Sequence, residues 1–115
     1  MATTFDTREQ AYERRFVLDE EARFHARNRR NRLLATWACA RMCLSGPEAD
    51  GYVASFTESA VVIDDETLIA RLQSDLRAAG IEATVARLRA EMSRCAALDQ
   101  AGGRDGVALD QGSSA

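Results

Sequence analysis

The sequence predicts an all-α fold, a four-helix domain with a long first helix, and three observations carry this prediction. No glycine or proline occurs before Gly46. Three later segments repeat apolar residues at helical spacing. The short run Val61-Val62-Ile63 has no comparable strand-like run to pair with, so we expect a buried helix end and linker there. The 115 residues, 46% of them hydrophobic and 29% charged, fit one small soluble domain.

The first predicted helix begins near Asp6, because a capping oxygen there is followed three residues later by Glu9. A helix of nearly forty residues is roughly 58 Å long at 1.5 Å per residue. A compact domain of this chain length has a radius of gyration of about 13 Å, so its neighbours cannot cover such a helix along its whole length. Part of the helix must protrude, bend or be disordered in the isolated protein.

The three remaining helices are shorter and one-sided. The second begins at Pro47, and the third is capped by Asp64 or Asp65 and stopped by Gly80. The fourth is expected to end before Gly102-Gly103, leaving residues 101–115 as a flexible tail whose composition cannot offset the entropy of ordering. The residues expected to face inward are Ala49, Tyr52, Val53, Phe56 and Ala60, then Leu68, Ile69, Leu72 and Leu76, and finally Val85, Leu88, Met92, Cys95 and Leu98.

One face of the first helix carries two apolar patches that are separated by charge. The N-terminal patch consists of Phe5, Tyr12 and Phe16, flanked by Val17 and Leu18, and the C-terminal patch of Leu33, Leu34, Trp37 and Ala38. Between them lie Arg23, Arg27 and Arg30. Three guanidinium groups on a buried line would each need a partner, so the two patches are expected to contact different partners. The first patch favours docking into a groove of another protein; the alternative is that residues 6–22 fold back and bury it.

The arginine-rich stretch RFHARNRRNR, residues 23–32, raises the possibility of nucleic-acid binding. Three acids lie directly upstream at positions 19–21, and Asp19 and Arg23 have the spacing of an ion pair. No helix-turn-helix, zinc finger or RNA-binding signature accompanies the stretch. Residues 1–41 hold nine arginines against six acids, and residues 42–115 hold six against twelve, for a net charge of −3. A mostly solvated helix face therefore explains the stretch better than a phosphate contact.

No residue pattern for catalysis, a cofactor or a metal is present. The phosphate-binding loop, the dinucleotide fingerprint and the nucleophile elbow are all missing. His25, the only histidine, lies among arginines that would repel a metal ion. Cys39 and Cys43 lack two further ligands for a tetrahedral site, and with Cys95 they are expected to be reduced thiols. Neither a membrane span nor a secretion signal is indicated, so a cytoplasmic, non-enzymatic protein is expected.

The segment TTFDTREQAYERRFVLDEEARFHARNRRNRLLATWA resembles, without gaps, the N-terminal region of the bacterial zeta-type inhibitor subunit of F-type ATP synthase. The matching positions are Phe5-Asp6-x-Arg8-Glu9, Tyr12-Glu13-x-x-Phe16-x-x-Asp19, Arg23-Phe24, Arg30-Asn31-x-Leu33-Leu34 and Trp37-Ala38. A looser resemblance continues to about residue 98. The chain departs from the family pattern at Ala35, near Cys43 and in the linker SAVVIDD.

The resemblance implies a division of labour along the chain. A segment of about residues 1–19 would enter a catalytic αβ interface of the F1 head beside the rotor and block ATP hydrolysis, and residues 20–100 would form the four-helix domain that anchors it. The implied partners are the α, β and γ subunits of F1, which would hold the protein at the periphery of the inner membrane, with no cofactor. The candidate partner-binding residues are Phe5, Asp6, Arg8, Glu9, Tyr12, Glu13, Phe16, Asp19 and Arg23.

Two other functions stay open on the residues alone. The chain could be a helical interaction module of a different complex, or a basic-helix nucleic-acid binder. Stoichiometric capture of F1 would favour the inhibitor, whereas salt-dependent binding to arbitrary nucleic acid would favour the last.

Overall fold

The computed structural model describes the backbone of residues 4–113 and the side chains of residues 7–102. These residues form four helices, α1 (Thr4–Arg41), α2 (Gly46–Ala60), α3 (Asp65–Ala78) and α4 (Val85–Ser113), and the described range contains no strand. The predicted all-α fold is confirmed. α1 begins two residues before the predicted cap, a difference within the usual spread of helix termini.

α1 extends well beyond the bundle that its own second half helps to build. Its 38 residues correspond to about 57 Å of helix, and every side chain from residue 7 to residue 25 is exposed. The radius of gyration is 18.7 Å, well above the roughly 13 Å of a compact chain of this length. The expected protrusion is therefore confirmed, and residues 7–22 do not fold back onto the bundle.

The hydrophobic core lies between the second half of α1 and the other three helices. Phe56 of α2 has the largest fully buried side chain. Most of the predicted inward residues are buried, and the core cluster comprises Leu34, Ala35, Ala38, Phe56, Ala60, Leu68, Ile69, Leu72, Leu76, Leu88, Met92 and Cys95. Val85 and Leu98 were expected to be inside and are exposed, because Val85 is the first residue of α4 and because, next to Leu98, it is Asp99 that faces α1 and pairs with Arg29.

Local capping chemistry explains where the helices begin and end. The Asp64 carboxylate accepts a hydrogen bond of 2.8 Å from the Thr67 backbone N–H, which confirms the predicted cap of α3. Gly80 after α3 has a φ of 82°, a conformation that favours glycine. After α1, Cys43 adopts a φ of 60° while the Leu44 N–H closes a 2.9 Å bond onto the Cys39 carbonyl, so a non-glycine residue occupies this left-handed C-terminal turn.

Two expectations about helix ends are wrong. Val61 and Val62 were expected to be buried, yet both are exposed, because α2 stops at Ala60 and the turn to α3 carries them outward. α4 was expected to end before Gly102 but its backbone is helical to Ser113. Each glycine costs only about 1 kcal/mol relative to alanine in a helix, and no proline interrupts the hydrogen bonding there. The flexibility of residues 101–115 stays a prediction.

Candidate functional site

An apolar stripe lies on the protruding half of α1 and has no cover from the rest of the described chain. It consists of Tyr12, 75% exposed, and Phe16, 61% exposed, and the exposed Val17 and Leu18 flank it further around the helix. We call Tyr12 and Phe16 the outer stripe. Burying a large aromatic side chain contributes roughly 1.5–3 kcal/mol, so leaving two of them in water forgoes a substantial gain. A helix that keeps such a stripe outside its own fold has the surface of a helix-in-groove ligand.

The predicted partner-binding residues all lie on α1, along the side of one rod and not around a cavity. Phe5 and Asp6 fall within the helical backbone, but their side chains lie outside the described ones. The other seven are exposed: Arg8, Glu9, Tyr12, Glu13, Phe16, Asp19 and Arg23. Arg23 pairs with Glu20 at 2.9 Å, and not with Asp19 as the spacing suggested. These polar side chains are accessible for contacts with a second protein.

Below the outer stripe, two arginines of α1 bind the turn between α2 and α3. Arg27 donates from Nη1 to the Ala60 carbonyl at 2.7 Å and from Nη2 to the Ile63 carbonyl at 2.9 Å. Arg27 and Arg30 also converge on Asp65, with Nη2···Oδ1 distances of 2.9 and 2.8 Å. Asp65, Arg27 and Arg30 form what we call the arginine clamp. It fixes the point at which α1 leaves the bundle.

Asn31 supports the clamp from the core side. Its side chain is 1% exposed, and its Oδ1 accepts from Arg30 Nε at 3.1 Å and from Nη2 at 2.7 Å. Within the described chain, the Asn31 Nδ2 atom has no hydrogen-bond partner, which costs on the order of 1–3 kcal/mol. The amide thus gives up one of its own hydrogen bonds while it orients the Arg30 guanidinium.

The electrostatics of the clamp favour an ionised Asp65. Hydrogen bonds from Arg30 lower the pKa of Asp65, partial burial opposes this, and hydrogen bonds from Arg27 lower the pKa further. The carboxylate therefore stays charged between two cations. This arrangement requires α1 and the start of α3 to keep one relative position.

The clamp corrects the interpretation of the arginine-rich stretch as a solvated face. That interpretation holds for Arg23, whose side chain is 76% exposed, but is wrong for Arg27 and Arg30, which are partly buried and paired. Arg29 pairs with Asp99 of α4 at 2.8 Å. Four of the five arginines in the stretch are thus engaged by acids, which weakens the case for phosphate binding. In the sequence, Asp65 is one of several acids at the starts of the later helices, so its position alone does not single it out as the partner of these arginines.

The bundle holds a second polar contact, between α2 and α3. The Tyr52 hydroxyl donates to Asp75 Oδ2 at 2.8 Å, and burial together with this hydrogen bond raises the pKa of Tyr52. The Arg71 guanidinium lies over the Phe56 ring, 5.4 Å from its centroid, and hydrogen-bonds Ser59. These contacts surround a core aromatic residue and leave no open site, so their role is to join the two helices.

The described side chains, residues 7–102, do not bring together groups for catalysis or metal binding. The three cysteines are free thiols, and burial raises the pKa of Cys39 and Cys95. No group of three potential metal ligands occurs among the described residues. In the same part of the chain, no helix has the length and apolar character needed to cross a bilayer.

Comparison with known proteins identifies the family. The family model described as ATPase inhibitor subunit zeta matches residues 1–101, which is most of the chain and includes both the outer stripe and the arginine clamp. No curated protein matches the chain. No solved structure matches it either. The chain belongs to the ATPase inhibitor subunit zeta family.

Proposed function

We propose that this protein inhibits ATP hydrolysis by inserting the N-terminal part of α1, residues 1–19, at a catalytic αβ interface of the F1 head near the rotor. Family membership supports an ATPase inhibitor role and ATP synthase as the partner. It also implies a regulatory and not a catalytic protein. The observation that carries the finer proposal is the outer stripe, an apolar helix face that the rest of the described chain leaves uncovered.

The dimensions of the two parts suit insertion. A single helix with its side chains is about 10–12 Å wide, so it can enter a cleft between subunits. The bundle packs further helices against the second half of α1, so it is wider than a single helix and would stay outside such a cleft. The part of α1 from Thr4 to Glu20 provides about 24 Å of reach. The bundle would then limit how far the helix enters.

The chemistry of the protruding segment suits a protein partner. Tyr12 and Phe16 are large, rigid anchors of the kind that dominate protein interfaces. The exposed polar residues Arg8, Glu9, Glu13 and Asp19 provide both signs of charge around them. Mixed charges of this kind favour a polar rim around an apolar centre over contact with a uniformly anionic nucleic acid.

The arginine clamp supports the proposal from the bundle side. A helix that must insert loses less entropy on binding when its orientation is already fixed. Arg27 and Arg30 hold α1 to the start of α3 at the base of the protruding part. We infer that the bundle holds the N-terminal part of α1 in one orientation, in which it can bind F1.

Truncation tests the proposal. F1-ATPase from the same source is titrated with the full-length chain and with a variant lacking residues 1–19, and ATP hydrolysis is measured. The full-length chain is expected to inhibit, and the truncated chain to lose most of that inhibition. A variant lacking residues 101–115 is the control for shortening and should retain it. Undiminished hydrolysis with the full-length chain would refute the proposal, as would full inhibition by the truncated chain.

A further inference from the structure

A second apolar surface lies at the base of the protruding helix, where α2 turns into α3. Val62 is 83% exposed, and Val61 and Phe24 are each about half exposed. Phe24 and Val61 line one open hollow between α1 and the turn, and Val61 and Val62 line the next hollow along α2. We call Phe24, Val61 and Val62 the valine shelf. Single exposed apolar residues are common, but three that adjoin across two elements form a patch.

The shelf is held in place and is not a loose loop. Arg27 binds the carbonyl groups of Ala60 and Ile63, which bracket the two valines. The Val61 and Val62 N–H groups bond back to the Glu58 and Ser59 carbonyls. An apolar surface that is fixed before binding loses little entropy when a partner covers it.

The shelf and the outer stripe lie on adjoining sides of α1, since Phe24 is eight residues after Phe16 and therefore about 80° around the helix from it. Phe16 and Leu34 are eighteen residues apart, which is five turns of a regular helix, so they point in the same direction. Leu34 is fully buried against the bundle, so Phe16 points over the end of the bundle. Phe24 lies about 12 Å along the helix from Phe16, toward that end. A protein packed on the outer stripe would therefore meet the shelf.

The charged residues around the shelf indicate which kind of partner surface would bind it. Glu58, Asp64 and Glu66 are exposed around it. Glu66 forms an ion pair with Arg89 at 2.9 Å. The Arg27 guanidinium already pairs with Asp65 and donates hydrogen bonds to two carbonyl groups. The rim is thus predominantly acidic. It complements a partner surface that combines an apolar side chain with lysine or arginine.

We propose that the valine shelf is a second docking surface for F1, which receives a basic, apolar-centred part of the same subunits that accept the outer stripe. The identity of the occupant rests on the proposed function. The shelf gives the bundle its own contact with F1, so that it holds the inserted helix and slows its release. Its loss raises the concentration needed for inhibition without lowering the maximal inhibition at saturation.

A lysine at position 62 tests the shelf, because it adds a cation where the partner is basic. Val62→Lys is expected to raise the half-inhibitory concentration against F1-ATPase about tenfold, the loss typical of a contributing interface residue. Val62→Glu is expected to lose less, because it agrees with the acidic rim. Val85→Lys, at an exposed valine of α4 outside the shelf, is the matched control and should stay within about twofold of wild type. The double variant Val61→Ser/Val62→Ser removes the apolar contact without adding charge and is expected to weaken inhibition as well.

The outcomes separate this proposal from the proposed function. One outcome would overturn the shelf alone. In it, the wild-type chain inhibits and requires residues 1–19 to do so, while Val62→Lys and the double serine variant both stay within twofold of wild type. A larger loss for Val62→Glu than for Val62→Lys would contradict the basic character of the partner. A wild-type chain that neither binds nor inhibits F1 would overturn both proposals. Circular dichroism melts accompany each variant, and the expected result is an unchanged Tm, since Val62 contributes little buried surface.

Discussion

The two halves of α1 share one backbone conformation but have opposite surroundings. Residues 7–25, which we call the free half, are exposed on every side, whereas residues 26–41, the bundle half, include four of the buried core side chains. Both halves carry large apolar residues, so composition alone does not separate them. The difference lies in what faces each half: three short helices cover the second, and the described chain places nothing over the first. Apolar residues on one helix are therefore buried in the core in one half and exposed in the other.

The largest expected difference between core and stripe concerns two phenylalanines. Phe56→Ala removes a fully buried ring and should lower the free energy of unfolding by about 3–5 kcal/mol. Phe16→Ala removes a largely exposed ring and should change it by less than about 0.5 kcal/mol. Urea denaturation of both variants measures the two changes. Similar losses would mean that the outer stripe is buried in solution and that the comparison fails.

The junction between the halves should be sensitive to the loss of one charge. Asp65→Asn leaves Arg27 and Arg30 with a weaker acceptor and should cost about 1–2 kcal/mol, a modest figure because the carboxylate is only partly buried. Asp19→Asn in the free half is the matched control and should cost almost nothing. Chemical denaturation at neutral pH reads out both. An equal, negligible effect at the two positions would show that the clamp does not hold the junction.

Acid should act on the same junction. The pKa of Asp65 is lowered in the folded chain, so its contribution to stability is fully present above its ordinary value of 3.8 and is lost as the pH falls through the lower folded value. Stability measured from pH 6 down to pH 2 should fall more steeply in the wild type than in Asp65→Asn. Parallel curves would contradict this assignment, because the variant lacks the titrating group.

A smaller difference is expected between two tyrosines. Tyr52→Phe removes the hydroxyl that donates to Asp75 and should cost about 0.5–1.5 kcal/mol. Tyr12→Phe removes an exposed hydroxyl and should leave stability unchanged. Thermal melts of the two variants measure this pair. A lower Tm for Tyr12→Phe would place its hydroxyl in a contact within the protein.

The spacing of apolar residues predicted the packing of the bundle well. The helical spacing of four residues was enough to predict that they are buried in the core: Leu68, Ile69, Leu72 and Leu76. The protrusion of α1 followed from the lack of glycine and proline and from the length of a forty-residue helix. These are local properties, and a single segment carries them.

The contacts at the junction between the two halves of α1 could not be predicted from the spacing of apolar residues. Arg27 and Arg30 both pair with Asp65, 38 and 35 residues along the chain, and a helix-face pattern contains no information about that partner. Val61 and Val62 look like core residues by type, and only the direction of the turn after Ala60 places them outside. The helical backbone of α4 from Gly102 onward depends on hydrogen bonds that the four glycines of this stretch weaken but do not remove.

The central claim is that the outer stripe serves recognition and not folding, and the double variant Tyr12→Ala/Phe16→Ala tests it most directly. Its inhibition of F1-ATPase and its Tm are measured on the same preparation, beside the wild type. The expected result is a half-inhibitory concentration raised at least about tenfold with a Tm close to that of the wild type. Unchanged inhibition, or a large drop in Tm, would contradict the claim.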